Sequence, residues 1–308
     1  MRNGSLRILV LGSAAGGGFP QWNCGCPNCR LAWRGDPRVE RRTQSSLAVS
    51  VDGERWLLLN ASPDLREQIA QSPELQPRGA GRHSPIEAVF LTNGDVDHVA
   101  GLLTLRERQP LVVHGGARVL AELGRNSIFG VLDRSVTRFE TAEPDEVVET
   151  SVGVSVTAFV VPGKTPLYLE DENLVIGVET GDTIGLDISG GGQRFFYIPG
   201  CAAVTPRLLD RLAGADLLFF DGTCFTNEEM VRLGLSEKTA ARMGHLAMSG
   251  PAGSMTALAG ADVRRKIFVH INNTNPVLVD GAPERRAVEA QGWEIGRDGL
   301  RITLEGER

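Results

Sequence analysis

The chain has 308 residues, of which 42% are hydrophobic and 37 are glycine, and its formal net charge is −6. That length suffices for one large core or two small ones, and the glycine content suits an α/β protein with many tight turns. An acidic chain without a basic block lacks the electrostatic footprint of a nucleic-acid binder, and no apolar run approaches the roughly 18–20 residues of a membrane span.

In chain order, Leu6-Arg7-Ile8-Leu9-Val10-Leu11 reads as a strand, too short for the core of a signal peptide. The glycine-rich Gly12 to Gly18 follows. It lacks the Gly-x-Gly-x-x-Gly register, and Pro20 stands where a helix should start, so tight backbone packing is expected rather than phosphate binding. Then comes Cys24-Gly25-Cys26-Pro27-Asn28-Cys29. Three of the five cysteines within six residues read as a cytosolic metal site rather than a disulfide framework. A closed thiolate site points to structural zinc, which wants four ligands; one is missing from residues 23–30.

Ser45 to Val51 and Arg55 to Leu59 are expected to pair around the turn dipeptide Asp52-Gly53. Ser62-Pro63 reads as an N-cap followed by a first helical proline. His83 falls in a polar loop and is expected to be solvated. Ile86 to Leu91 reads as a buried strand. Thr92-Asn93-Gly94-Asp95-Val96-Asp97-His98 follows, then the start of an apolar helix at Val99. One aspartate suits the helix N-cap. A second, with an adjacent histidine, exceeds what a cap needs and points to a metal site.

Leu111 to His114 is a strand whose terminal histidine is either a ligand or structural. Ala117 to Leu123 reads as a helix. Ser151 to Val161, Asn173 to Glu179 and Arg194 to Ile198 read as strands, the last two separated by the glycine-rich 189–192. Thr205-Pro206 caps a helix to Leu212. Asp216 to Asp221 is a buried strand with an acid at its end. His245 follows Gly244 after a polar helix, and Lys266 to His270 is a strand ending in histidine. A last helix near Glu284 to Gln291 precedes a hairpin turning at Asp298-Gly299. The composition does not shift along the chain, so one domain over residues 1–308 is the simplest account.

Strand ends bearing Asp-His and His, alternating with helices, resemble the metallo-β-lactamase superfamily, which implies an αββα sandwich. The signature H-x-H-x-D-H stands here as Asn93-Gly94-Asp95-Val96-Asp97-His98. The later histidine motif reads Pro162-Gly163-Lys164, the bridging-aspartate motif reads Pro199-Gly200-Cys201, and the final histidine is His270. The resemblance implies that the first metal position has lost its imidazoles. The second keeps Asp97, His98 and His270, with Asp95 adding a further carboxylate or holding a bound water. Two histidines and one carboxylate are the set typical of non-haem Fe(II) oxygenases.

Asn23 to Cys29, Asn93 to Leu102, Pro162 to Tyr168 and His270 to Pro276 together resemble the coenzyme PQQ synthesis protein B family. That resemblance implies a cytoplasmic enzyme of pyrroloquinoline quinone biosynthesis. It implies iron-dependent hydroxylation of the tyrosine ring of a Glu-Tyr-derived precursor, with O₂ as co-substrate and other proteins of the pathway as partners. Fe(II) or another divalent metal is expected at the active site, beside structural zinc. His245 is expected near the substrate or behind the ligands. Lys164, where the superfamily has a histidine, and Asn93 are expected on the substrate. A carrier or transport role and a metal-dependent hydrolase are the alternatives. No membrane or nucleic-acid partner is expected, a homodimer is left open, and Cys201 and Cys224 carry no assignment.

Overall fold

The structure, a computed structural model, describes residues 5–306. Two seven-stranded mixed sheets stack face to face. The first runs in the order β14 (Arg301–Leu304), β1 (Leu6–Gly12), β2 (Ser46–Ser50), β3 (Trp56–Leu59), β4 (Ile86–Leu91), β5 (Leu111–Gly115), β6 (Thr137–Thr141). The second runs β13 (Trp293–Ile295), β12 (Val263–Val269), β11 (Ala215–Asp221), β10 (Gln193–Ile198), β9 (Ile184–Gly190), β8 (Ser155–Val160), β7 (Val147–Glu149). Alternate side chains of both sheets, among them Ile8, Val49, Phe90, Leu186, Tyr197 and Phe219, form the central apolar layer. The opposite faces carry the remaining apolar residues. On the first sheet they lie under α2 (Leu65–Gln71) and α4 (Ala117–Arg125); on the second, under α1 (Pro27–Trp33), α5 (Pro206–Leu212) and α8 (Pro283–Ala290). This is the expected αββα sandwich.

In each sheet one half is parallel: β3 to β6 in the first, β10 to β13 in the second. Ligands in α/β sheets collect at the carboxyl ends of such strands. The carboxyl ends of β4, β10, β11 and β12 carry the Asp97 turn, Cys201, Asp221 and His270. The Gly12–Gly18 loop packs tightly, as expected. A Cβ on Gly12 would stand 2.1 Å from the Gln44 carbonyl oxygen, and Ala15 N donates to Ile271 O beside His270 (2.9 Å).

Three local expectations fail. Asn173 to Glu179 is not a strand; only Val178 bridges Gly163. Its β-branched residues stay largely exposed, while Ile184–Gly190 buries its alternate positions and takes the place beside β10. Helix α2 begins at Leu65 rather than after Ser62, because the Asp64 carboxylate is drawn to Gln44 N (2.8 Å) and Nε2 (3.0 Å). The last two strands are not a hairpin: β13 pairs with β12 and β14 with β1, in different sheets. Asp298 sits at that crossing and accepts from Ser13 and Thr43, both backbone and hydroxyl. The Thr205 cap is present, its hydroxyl accepting from Leu208 N (3.2 Å).

Glu229, in the short helix α6 (Glu229–Arg232), is buried against the segment that follows β12. It accepts from Thr274 Oγ1 (2.5 Å) and Phe225 N (2.7 Å). Burial lifts its carboxyl from the ordinary 4.5 to about 7. The folded form therefore holds its proton more tightly than the unfolded one. The associated stability is complete below about pH 4.5 and is lost as the pH climbs through about 7. Glu229→Gln should remove that slope. In urea unfolding at pH 5 and pH 8, the wild type should lose roughly 2 to 3 kcal/mol more than the variant.

Candidate metal centre

β4 delivers the chain into Thr92-Asn93-Gly94-Asp95, a turn in which Asn93 Oδ1 accepts from Asp95 N (2.9 Å). Helix α3 (Val96–Val99) begins there, and its second and third residues are Asp97 and His98. His98 is 1% exposed. Behind it stand Asn60 and Thr92. Asn60 follows β3 in a left-handed conformation (φ 64°), which asparagine tolerates better than most residues. Its Oδ1 accepts from Thr92 N (2.8 Å). In the tautomer that frees His98 Nε2, Nδ1–H donates to Thr92 Oγ1 (3.1 Å), whose own proton goes to Asn60 Oδ1 (3.1 Å).

From the second sheet, β12 leads directly into His270, again left-handed (φ 55°). Non-glycine residues in that region persist where the surroundings over-determine them, and they cluster at functional sites. β11 ends at Asp221, fully buried. Thr223, two residues on, donates its hydroxyl proton to Asp221 Oδ1 (2.7 Å). That hydroxyl therefore accepts from His270 Nδ1 (2.9 Å). Asp221 Oδ2 takes His245 Nδ1–H (2.7 Å) and Cys201 N–H (3.0 Å). His270 Nε2 lies 3.0 Å from Asp97 Oδ2, and His98 Nε2 lies 3.5 Å from the same oxygen. The His98 and His270 rings meet edge to face at 5.2 Å, and His245 stacks on His270, also at 5.2 Å.

Asp97, His98 and His270 thus offer ligand atoms that all lie within 4.8 Å of one another. Buried His98 Nε2 has no hydrogen-bond partner, a cost of about 1–3 kcal/mol unless something else takes the lone pair. Burial pushes the His98 imidazole down to about 4, so it stays neutral. Burial would raise Asp97, but His98 and His270 beside it hold the carboxyl well below the usual range. For His270, burial opposes the charge while the Asp97 hydrogen bond favours it, and the balance is upward. An anionic carboxylate, a neutral imidazole with an orphaned nitrogen and a second imidazole oriented through Nδ1 fit a divalent cation.

Asp221, His245 and His270 form a second close group, but His245 Nδ1 and His270 Nδ1 both converge on the Thr223 hydroxyl. It is a hydrogen-bond hub that adjoins the candidate donor set through His270. Among the other sequence candidates, Asp95 falls in neither close group but lines the same cavity as Asp97 and His270, and its Oδ1 accepts from Leu167 N (3.0 Å). Asn93, Lys164 and His245 all line the same cavity, of about 270 Å³, as Asp97, His98 and His270. His114 lies outside it, stacked on Phe90 and 3.7 Å from Glu140, and His83 is in an exposed loop. Burial pushes the Cys201 thiol up to about 12; it donates to Ala203 O (3.1 Å), and Cys224 is likewise buried. Asn60, Thr92 and Thr223 were not legible as functional in the sequence, because a lone amide or hydroxyl carries no spacing signal.

The three sulfurs of Cys24, Cys26 and Cys29 also lie within 4.8 Å of one another. Cys26 is the N-cap of α1. The Asn273 side-chain amide faces all three sulfurs, Nδ2 standing 3.1 Å from Cys24, 3.8 Å from Cys26 and 3.2 Å from Cys29. The neighbouring Cys29 sulfur and burial push the Cys26 thiol up, while the bond from Cys26 lowers Cys29. Such crowded sulfurs fit a thiophilic cation.

The family model of the β-lactamase superfamily domain matches residues 55–271. The chain is 55% identical over 299 residues to the coenzyme PQQ synthesis protein B of Methylorubrum extorquens strain PA1, covering 97% of this chain and 100% of that one. To the protein of the same name from Rhizobium meliloti strain 1021 it is 50% identical over 303 residues, 98% of this chain and 99% of that one. The crystal structure of Zn(2+)-bound PqqB from Methylobacterium extorquens matches with a TM-score of 0.95 at 55% identity, covering 97% and 100% of the two chains. A diphosphatase from the PhnP family, at TM-score 0.70, 18% identity and 98% of each chain, shares the fold.

Proposed function

The chain belongs to the coenzyme PQQ synthesis protein B family of the β-lactamase superfamily, and from that membership we propose that it serves pyrroloquinoline quinone biosynthesis as a non-haem iron hydroxylase. Its substrate is the tyrosine ring of a Glu-Tyr-derived precursor. The observation that carries this reading is the donor set: two imidazoles and one carboxylate, with His98 Nε2 buried and unpartnered. The zinc reported for the relative from Methylobacterium extorquens supports a divalent-metal site. The apolar layer shared by both sheets supports reading the chain as one domain.

Asp97, His98 and His270 would hold the metal, and Cys24, Cys26 and Cys29 a structural zinc. Bound iron would supply the one-electron chemistry that O₂ requires. In the overall reaction one oxygen atom enters a ring C–H bond and the other leaves as water, with two electrons from an external reductant. The chain's own part is orientation. Thr223 and Thr92 fix the imidazoles through Nδ1, and Asp221 keeps the His245 Nε2 lone pair available to accept a proton in the cavity. Lys164 would receive a substrate carboxylate.

The test is anaerobic Fe(II) loading, then O₂, reductant and a Glu-Tyr dipeptide, read by mass spectrometry. Gain of one oxygen with Fe(II), and none with Zn(II), is expected. Anaerobic peptide cleavage with Zn(II) would make the protein a hydrolase, and binding without turnover a carrier. His245→Ala should cut turnover roughly a hundredfold while sparing iron. An equal fall in bound iron would make His245 a ligand.

A further inference from the structure

The cavity that holds the metal cluster is lined by a second group of charges as well. Glu170 is only 11% exposed in its side chain and is met by three cations. Lys164 Nζ lies 2.9 Å from Oε1; Lys238 Nζ and an Arg242 guanidinium nitrogen lie 3.3 and 3.2 Å from Oε2. Lys164, Glu170 and Lys238 line the cavity directly. Within this group one carboxylate stands against three cations, an excess of two positive charges, and Lys164 also faces Asp95 on the same cavity. Lys164 Nζ pairs with Glu170 as an ion pair and donates a proton to Thr165 O (3.1 Å). Its stem lies over Gly244, where a Cβ would come within 2.9 Å of Lys164 Cγ. That packing, beside His245, fixes the ammonium toward the cavity.

We infer that Glu170 gathers Lys164, Lys238 and Arg242 into a receptor for an anionic ligand carrying two carboxylates, in the same cavity as Asp97 and His270. The inference rests on the proposed peptide substrate, whose glutamate side chain and terminal carboxylate supply the two charges. Glu170 acts as a template: without it three cations would repel one another, and with it they converge. The ring of a ligand anchored there extends toward the metal cluster, since both groups line one cavity. Charge-assisted bonds of this kind are short and directional, and the half-exposed Lys238 and Arg242 make the attraction sensitive to salt.

Calorimetric titration of the Zn(II)-loaded protein under anaerobic conditions tests this. The probes are Glu-Tyr, glutarate and uncharged N-acetyltyrosinamide. Lys238→Gln and Arg242→Gln are expected to weaken Glu-Tyr binding roughly tenfold each. They should leave N-acetyltyrosinamide binding and the zinc content unchanged, and added salt should weaken wild-type binding more than variant binding. Wild-type affinity for Glu-Tyr retained in both variants would overturn the receptor while leaving the substrate reading intact. Glutarate binding that depends on Lys238 and Arg242, with no binding of Glu-Tyr, would uphold the receptor and overturn the substrate. Binding of neither acid would overturn the inference.

Discussion

His270→Ala should strip the active-site metal and abolish hydroxylation together. Of the three proposed donors, His270 alone comes from the second sheet; Asp97 and His98 both come from the turn after β4. Its removal leaves a two-residue half-site on α3. The fall in Fe(II) affinity should exceed the roughly 10–100-fold that loss of an outer-shell partner costs. Isothermal titration with Fe(II) under anaerobic conditions reads it directly. His98→Ala and Asp97→Ala should behave alike, while Lys164→Ala should raise KM for the peptide and spare iron. The opposite pattern, Lys164→Ala losing iron and His270→Ala keeping it, would end the single-site reading. The pH dependence follows the same residues. Burial already holds His98 neutral down to about pH 4, so protonation of His98 does not limit metal loading near neutrality.

The candidate donors could be picked out in the sequence because each falls beside a strand end marked by an apolar run. Ile86 to Leu91 and Lys266 to Val269 announce buried strands, and the acid or histidine just beyond each is out of place in a core. What holds those donors was not legible. Asp221 stood out only as an acid ending a strand, and Thr223 as nothing, yet that hydroxyl joins Asp221, His245 and His270. Such partners are chosen by tertiary proximity, which no local spacing encodes. The same limit explains the misplaced strand. Asn173 to Glu179 has the β-branched residues of a strand but no sheet edge to bury them, whereas Ile184–Gly190, with aspartate and glycine in its run, is paired on both sides. The Glu170 cluster was hidden for a further reason. Of its members only Lys164 stands out, through the superfamily motif; Glu170, Lys238 and Arg242 come from segments around 170 and 238–242 that carry no motif.

Cys26→Ser should release the structural zinc and lower thermal stability by several degrees without emptying the active site. The cysteine loop has no sheet or long helix of its own; α1 is two turns, and its N-cap is Cys26 itself. Structural zinc contributes directly to folding free energy, with apparent binding of about 10–16 kcal/mol in small zinc peptides. A domain with a large core of its own loses only part of that. Where the loss is felt is set by the contacts of the loop. Asn28 Nδ2 donates to Asn273 O (3.2 Å) and Asn275 O (2.9 Å), and the Asn273 amide covers the three sulfurs. The loop therefore anchors the segment just after His270. Serine keeps the N-cap acceptor but not the thiolate, so the helix start survives while the metal leaves. Differential scanning calorimetry with metal analysis should show less zinc and a lower Tm, with Fe(II) still loading to one equivalent at a weaker affinity. Unchanged zinc with loss of iron would reverse the assignment of the two sites.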